Sequence, residues 1–168
     1  MDIELEDAFL TGLERNKQKI LRICSVYAKN QEDKKDLFQE VLINIWKSMP
    51  SFKGKSSLDT WMYRVTLNIC LSTQTKLIKK QKHFINMDSV KLSQYEGTPI
   101  TKEENEQLLF LRSCIKTMNE IDKAIITLYL EELAYREIAE ITGLTENHIA
   151  VKIKRIKKKL LNCINQKS

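Results

Sequence analysis

Six basic side chains, Lys152, Lys154, Arg155, Lys157, Lys158 and Lys159, fall within eight consecutive positions of TENHIAVKIKRIKKKL, Thr145 to Leu160. Such groups do no covalent chemistry here. They neutralise phosphates, and the release of condensed counterions drives that binding. From Val151 to Lys167 there is no acid, whereas a solvated helix face normally mixes signs, with Glu four residues ahead of Lys. The bland alternative is a basic helix end that complements its own dipole. If the helix reads DNA, its N-terminal part faces the base edges. Asn147, His148, Val151, Lys152 and Arg155 are then the candidate readers, and Lys154, Lys157, Lys158 and Lys159 the candidate phosphate contacts.

Positioning these groups requires a buried stripe and a fixed entry angle. Ile149, Ile153, Ile156 and Leu160 recur at i, i+4, i+7 and i+11, which predicts one face packed on the rest of a domain. In ITGLTEN, Gly143 can take the left-handed conformation that ends a helix, and Thr145 can cap the next. Ala139, Gly143 and Ile149 have the spacing of helix-turn-helix units: a small residue where helices touch, a turn glycine and a core aliphatic. Helices are expected over Lys102 to about Met118, Ile121 to about Glu131, Tyr135 to Thr142, and Glu146 to about Asn162. Thr101 to Glu104, TKEE, has the form of a capping box at the first of them.

The first half is also helical in period: Ile20, Ile23, Cys24, Tyr27, then Leu37, Val41, Ile45, then Leu58, Met62, Val65, Ile69. Breakers fall near Lys29 to Asp33 and at SMPSFKGKSS, Ser48 to Ser57. The helix from Lys34 to Ser48 carries two apolar stripes, with Phe38, Leu42 and Trp46 beside Leu37, Val41 and Ile45. One stripe can face its own bundle, and the surplus beside Asp36, Gln39 and Glu40 suggests a surface for a protein partner. Between the halves, His83 to about Ile100 has no sustained period and contains Gly97 and Pro99, as a linker would.

The fold class expected is all-α, with two small helical domains, 1–82 and 102–168, joined by a flexible linker, 83–101. The chain has 168 residues, few glycines and prolines, and a formal net charge of +6, which suits a polyanionic partner. The excess is uneven. Residues 1–82 hold 15 basic against 10 acidic side chains, 83–107 hold 2 against 5, and 108–168 hold 11 against 7. Cys24, Cys70, Cys114 and Cys163 are far apart with no zinc spacing, and are expected to be single apolar side chains in a reduced, cytoplasmic protein. The acidic N-terminus does not resemble a signal peptide, and no apolar run is long enough to insert in a membrane.

On these residues the chain resembles the sigma-70 family, and within it the small extracytoplasmic-function (group IV) sigma factors. DLFQEV with the following IW is similar to the region 2.2 motif, SFKGKSSLDTWMYRVTLN to regions 2.3 and 2.4, and YREIAEITGLTENHIAVKIKRIKKKL to region 4.2. The resemblance implies that the first domain binds the β′ clamp helices of core RNA polymerase through Asp36, Gln39 and Glu40. It further implies that this domain opens the minus-ten element of promoter DNA. Ser48 and Phe52 match the positions lining the pocket for a flipped base, Asn68 the asparagine that contacts it, and Trp61 the aromatic against the melting duplex. Trp61 also falls on the stripe of Met62 and Val65, where it would be core. Lys53, Lys55, Arg64, Lys76, Lys79 and Lys80 would be backbone contacts. The second domain would bind the β flap and read the minus-thirty-five element, and an anti-sigma factor is a further partner that such a chain admits.

The match has departures. Many relatives carry EGLSYEEIA where this chain has EELAYREIA, Glu131 to Ala139, without glycine. Ala150 and Val151 stand where others often have Arg and Ser. The competing reading is a stand-alone helix-turn-helix regulator that binds duplex DNA as a dimer. No catalysis and no cofactor are expected, since His83 and His148 are isolated and no phosphate loop or carboxylate constellation occurs.

Overall fold

The computed structural model describes residues 3–75 and 106–166. They form two compact units, each helical, with no strand among the described residues. The expected linker, the capping box at Thr101, and Lys76, Lys79 and Lys80 lie outside the described residues.

The first unit is a bundle of α1 (Ile3–Tyr27), α2 (Gln31–Ser48) and α3 (Leu58–Thr75), in which each helix packs on the other two. Asn30 starts α2 by accepting from the Asp33 N–H at 2.8 Å, and the Asp33 carboxylate accepts from the Lys29 N–H at 2.8 Å. These bonds satisfy donors that a helix start leaves open. Gly12 allows the close approach of α1 to α3: a Cβ there would lie 2.7 Å from the Met62 Cε.

Two expectations about this bundle are corrected. Leu37, Phe38, Val41, Leu42 and Ile45 are all buried. Five of the six residues of the two α2 stripes therefore lie in the core, and the apolar surplus is reduced to Trp46. Trp46 is half-buried with its ring edge-on to Phe9, centroids 4.9 Å apart. On α3 the buried face is Met62, Tyr63, Thr66, Leu67 and Cys70, while Leu58, Val65 and Ile69 are only half-buried. The core face is thus rotated from the apolar stripe, because polar side chains enter the core with their bonds satisfied. Thr66 donates to the Met62 carbonyl at 2.8 Å, and the Tyr63 hydroxyl donates to the Asn16 Oδ1.

Asn16, 2% exposed, anchors that arrangement. Its amide donates to the Gly12 carbonyl at 2.9 Å and to Asp59 at 2.8 Å, and Asp59 also accepts from the Arg15 Nε at 3.0 Å. Burial pushes the Asp59 carboxyl up, but the hydrogen bonds from Arg15 and Asn16 and the charges of Arg15 and Lys19 outweigh it, so its pKa lies below the ordinary value. This network pins the first turn of α3 to α1.

The second unit comprises α4 (Glu106–Lys116), α5 (Glu120–Leu130), α6 (Tyr135–Thr142) and α7 (Glu146–Gln166). Ile149, Ile153, Ile156 and Leu160 are buried, and α7 packs on α4, α5 and α6. The stripe read from the sequence is the one that holds α7. Asn119 caps α5, accepting from the Asp122 N–H at 2.9 Å.

The cysteines differ from expectation. Cys114 on α4 and Cys163 on α7, 49 residues apart, form a disulfide with a Cα separation of 6.1 Å. Cys24 and Cys70 are free and buried as expected, but they are not single. A hydrogen bond between them, then burial, pushes the Cys70 thiol well above its usual range.

Candidate nucleic-acid interface

The turn between α6 and α7 is built as its residues require. Gly143 has φ +81° and donates its N–H to the Ala139 carbonyl at 2.8 Å, closing α6 in the left-handed conformation. The Thr145 hydroxyl accepts from the His148 N–H at 3.1 Å and opens α7. One turn earlier, Glu132 has φ +67°. It is the second residue of EELAYREIA, and it takes the left-handed conformation that glycine would adopt at less cost.

The six basic residues of α7 fall into three groups. Lys154, Arg155 and Lys158 are exposed on the face opposite the buried stripe, together with Asn147, His148 and Val151. Asn147, Val151, Lys154 and Lys158 follow the i, i+4, i+7, i+11 pattern of one helix face. Val151, 47% exposed, is its apolar member, and an apolar contact of that size suits a thymine methyl. On one flank, Lys152 is half-buried and donates to Asp122 at 3.1 Å, and Lys159 reaches the same carboxylate at 3.5 Å. On the other flank, the Lys157 Nζ lies 4.5 Å from the centroid of the Tyr129 ring. Hydrogen bonding with Tyr129 holds the Lys157 pKa above its ordinary value. Lys152, expected among the base readers, is thus engaged by Asp122.

In the first unit, the chain leaves α2 through a single 3-10 turn, Met49–Ser51. The Ser51 hydroxyl donates to the Ser48 carbonyl at 2.7 Å, and the Phe52 N–H donates to the Met49 carbonyl at 3.1 Å. These bonds fold Phe52 back onto α3, where its ring meets Trp61 with centroids 5.3 Å apart and planes tilted by 50°. Trp61 is half-buried, so it serves neither purely as core nor as a free platform. Arg64 and Asn68 follow Trp61 at i+3 and i+7 on the same face of α3, with Arg64 half-buried and Asn68 exposed. Ser48, half-buried, ends α2 beside this turn. Lys53 and Lys55 are exposed in the following loop.

Asp36 is exposed on α2 and Gln39 and Glu40 are half-buried. The Glu40 carbonyl accepts from the Asn44 amide at 2.8 Å. Sequence reasoning missed Asp122, Tyr129 and Asn16. Asp122 had one local signal, the N-cap pattern of Asn119 three residues earlier; nothing in the neighbourhood of Tyr129 or Asn16 marks its role.

Comparison with known proteins agrees with this architecture. Residues 13–82 match the family model for sigma-70 region 2, and residues 110–160 match that for sigma-70 region 4. The chain is 27% identical to the RNA polymerase sigma factor SigV of Bacillus subtilis over 147 residues, covering 87% of this chain and 84% of that one. It is 26% identical to the ECF RNA polymerase sigma factor SigW of the same organism over 161 residues, covering 89% and 85%. Among solved structures it is similar to CnrH in complex with the cytosolic domain of CnrY, with TM-score 0.69 at 16% identity, covering 97% and 91%. It is similar too to the sigma factor RpoE in complex with the anti-sigma factor NepR from Bartonella quintana, with TM-score 0.68 at 16% identity, covering 96% and 97%. The chain belongs to the sigma-70 family, in its extracytoplasmic-function group.

Proposed function

We propose that this chain is the promoter-reading subunit of a bacterial RNA polymerase, which binds core polymerase through its first unit and directs promoter recognition and opening with both. The observation that carries the reading is the presence of both sigma-70 regions in one chain, at 13–82 and 110–160. A free-standing helix-turn-helix regulator needs only the second. Catalysis of nucleotide transfer belongs to the polymerase, and the chain contributes binding energy and base capture. It works in the cytoplasm, where polymerase and chromosome are. An anti-sigma factor fits as a further partner, since the RpoE structure is a complex with one.

In this reading Asp36, Gln39 and Glu40 meet the β′ clamp helices. Phe52 and Trp61 form an aromatic wall at the edge of the melting duplex, and Ser48 and Asn68 bound the site of a flipped minus-ten base. The Asn68 amide offers a donor and an acceptor to a base edge. On α7, Asn147, His148, Val151 and Arg155 face minus-thirty-five bases, while Lys154 and Lys158 neutralise phosphates. The second unit also binds the β flap.

The direct test is co-purification with core polymerase followed by run-off transcription from a genomic library. Association together with new transcription starts is expected. Sequence-specific duplex binding without association would favour the stand-alone regulator.

Two point changes separate the two DNA contacts. Arg155→Ala should weaken use of the cognate promoter by roughly 1–3 kcal/mol and relax discrimination upstream. Transcription from a series of base-substituted upstream elements measures this, and an unchanged preference would remove Arg155 from the reading set. Asn68→Ala should leave upstream binding intact and impair opening. Permanganate reactivity of the melted thymines is the readout, and wild-type reactivity would contradict the role.

A further inference from the structure

Asp122 sits in the first turn of α5, 4% exposed, and belongs to no motif of the family resemblance. Its Oδ1 accepts from the Lys152 Nζ at 3.1 Å; its Oδ2 accepts from the Lys159 Nζ at 3.5 Å and the Asn119 amide at 3.3 Å. A carboxylate so far out of water is tolerated only with charged partners and satisfied oxygens, and here both conditions hold. The two lysines leave α7 two turns apart, about 10 Å along its axis, and converge on one group. A helix held at two such points resists both rotation about its axis and sliding along it.

We propose that Asp122 is a positioning residue for upstream promoter reading, an internal stand-in for a DNA phosphate that fixes the rotation of α7 and draws the half-buried Lys152 and the exposed Lys159 to itself in place of the DNA. Around Val151 and Asn147, the charge that faces the duplex then comes from Lys154, Arg155 and Lys158. The proposal rests on the reading of α7 as the DNA-facing helix. Its physical content is a division of labour. Without Asp122, two more ammonium groups become available to any phosphate, so that sequence-independent attraction grows while the face that reads bases loses its fixed orientation.

The test uses the full chain and a fluorescent duplex of random sequence, with affinity measured through a salt titration. Upstream base preference is then measured with reconstituted holoenzyme. Each phosphate-bound lysine contributes about 0.9 to the slope of log affinity against log salt. Asp122→Asn, which keeps shape and removes charge, is expected to steepen that slope by about 1 to 2 and to flatten base preference several-fold. Asp122→Glu should restore the preference. Lys159→Gln should leave the slope unchanged, while Lys158→Gln should lower it by about 0.9. A residue with a merely structural role would weaken specific and random-sequence binding together without steepening the slope.

Should Asp122→Asn fail to fold, the comparison of Lys159→Gln with Lys158→Gln decides alone. Equal losses of slope in those two variants, or a wild-type slope in a folded Asp122→Asn, overturn the proposal. Slopes of the wrong order fail this inference alone, whereas a wild-type chain that binds no duplex at any salt fails the reading of α7 as well.

Discussion

Changing Asp36, Gln39 and Glu40 together to alanine is expected to weaken association with core RNA polymerase at least about 100-fold, or about 2.7 kcal/mol, and to abolish the transcription starts that the chain directs. The estimate assigns about 1 kcal/mol to each truncated polar side chain at a protein interface, the ordinary cost for contacts outside a dominant anchor. None of the three belongs to the buried core of α2, which Leu37, Phe38, Val41, Leu42 and Ile45 supply. The bundle should therefore survive the change, and its thermal midpoint should stay within a few degrees of wild type. Gel filtration with core polymerase measures the association, and circular dichroism controls for folding. Undiminished association would place the polymerase contact elsewhere on the unit. That outcome has physical force here, because all but Trp46 of the apolar surplus that first pointed to this helix face lies in the core.

How far the sequence could be followed depended on whether a feature is set locally. Gly143 and Thr145 obey rules written within four residues of each, so the turn before α7 and the stripe of Ile149, Ile153, Ile156 and Leu160 were legible. The core face of α3 was not. Its apolar stripe ran through Val65 and Ile69, but Tyr63 donates to Asn16 and Thr66 to the Met62 carbonyl, so both can be buried in their stead. On α2 the double stripe had a simpler cause: a helix packed on two neighbours buries a wide arc.

The candidate site divides the same way. The sequence reading named Asn147, His148, Val151 and Arg155 as readers and Lys154 and Lys158 as phosphate contacts, and the structure exposes all six. Which lysines are engaged elsewhere depended on Asp122 and Tyr129, carried by α5, and no periodicity within α7 encodes a neighbour's carboxylate or ring. On α3, Trp61, Arg64 and Asn68 share a face by helical period alone. The arrival of Phe52 at Trp61 required the 3-10 turn after Ser48, which Pro50 signalled only as a break.

The disulfide is the feature least visible in the sequence and the one with the largest expected effect on stability. Cys114 and Cys163 close a loop of 49 residues, which the loop-entropy estimate converts to about 4 kcal/mol. That is a large share of what a unit of this size can hold in reserve. Cys163→Ser should therefore lower the unfolding midpoint of the second unit by on the order of 15 °C or more under oxidising conditions. With dithiothreitol, wild type and variant should unfold together. The first unit, whose Cys24 and Cys70 are free, should respond to neither treatment. Calorimetry of the full chain with and without reductant checks all three statements, and a wild-type midpoint insensitive to reductant would show that the bond does not form in solution. The bond ties the far end of α7 to α4, whereas Asn147, Val151 and Arg155 lie in its first three turns. Wherever thiols are kept reduced, the bond does not form, and the four-residue apolar stripe and the Asp122 clamp must hold α7 without it. Discrimination between promoters should then fall most on reduction in the chain that carries Asp122→Asn.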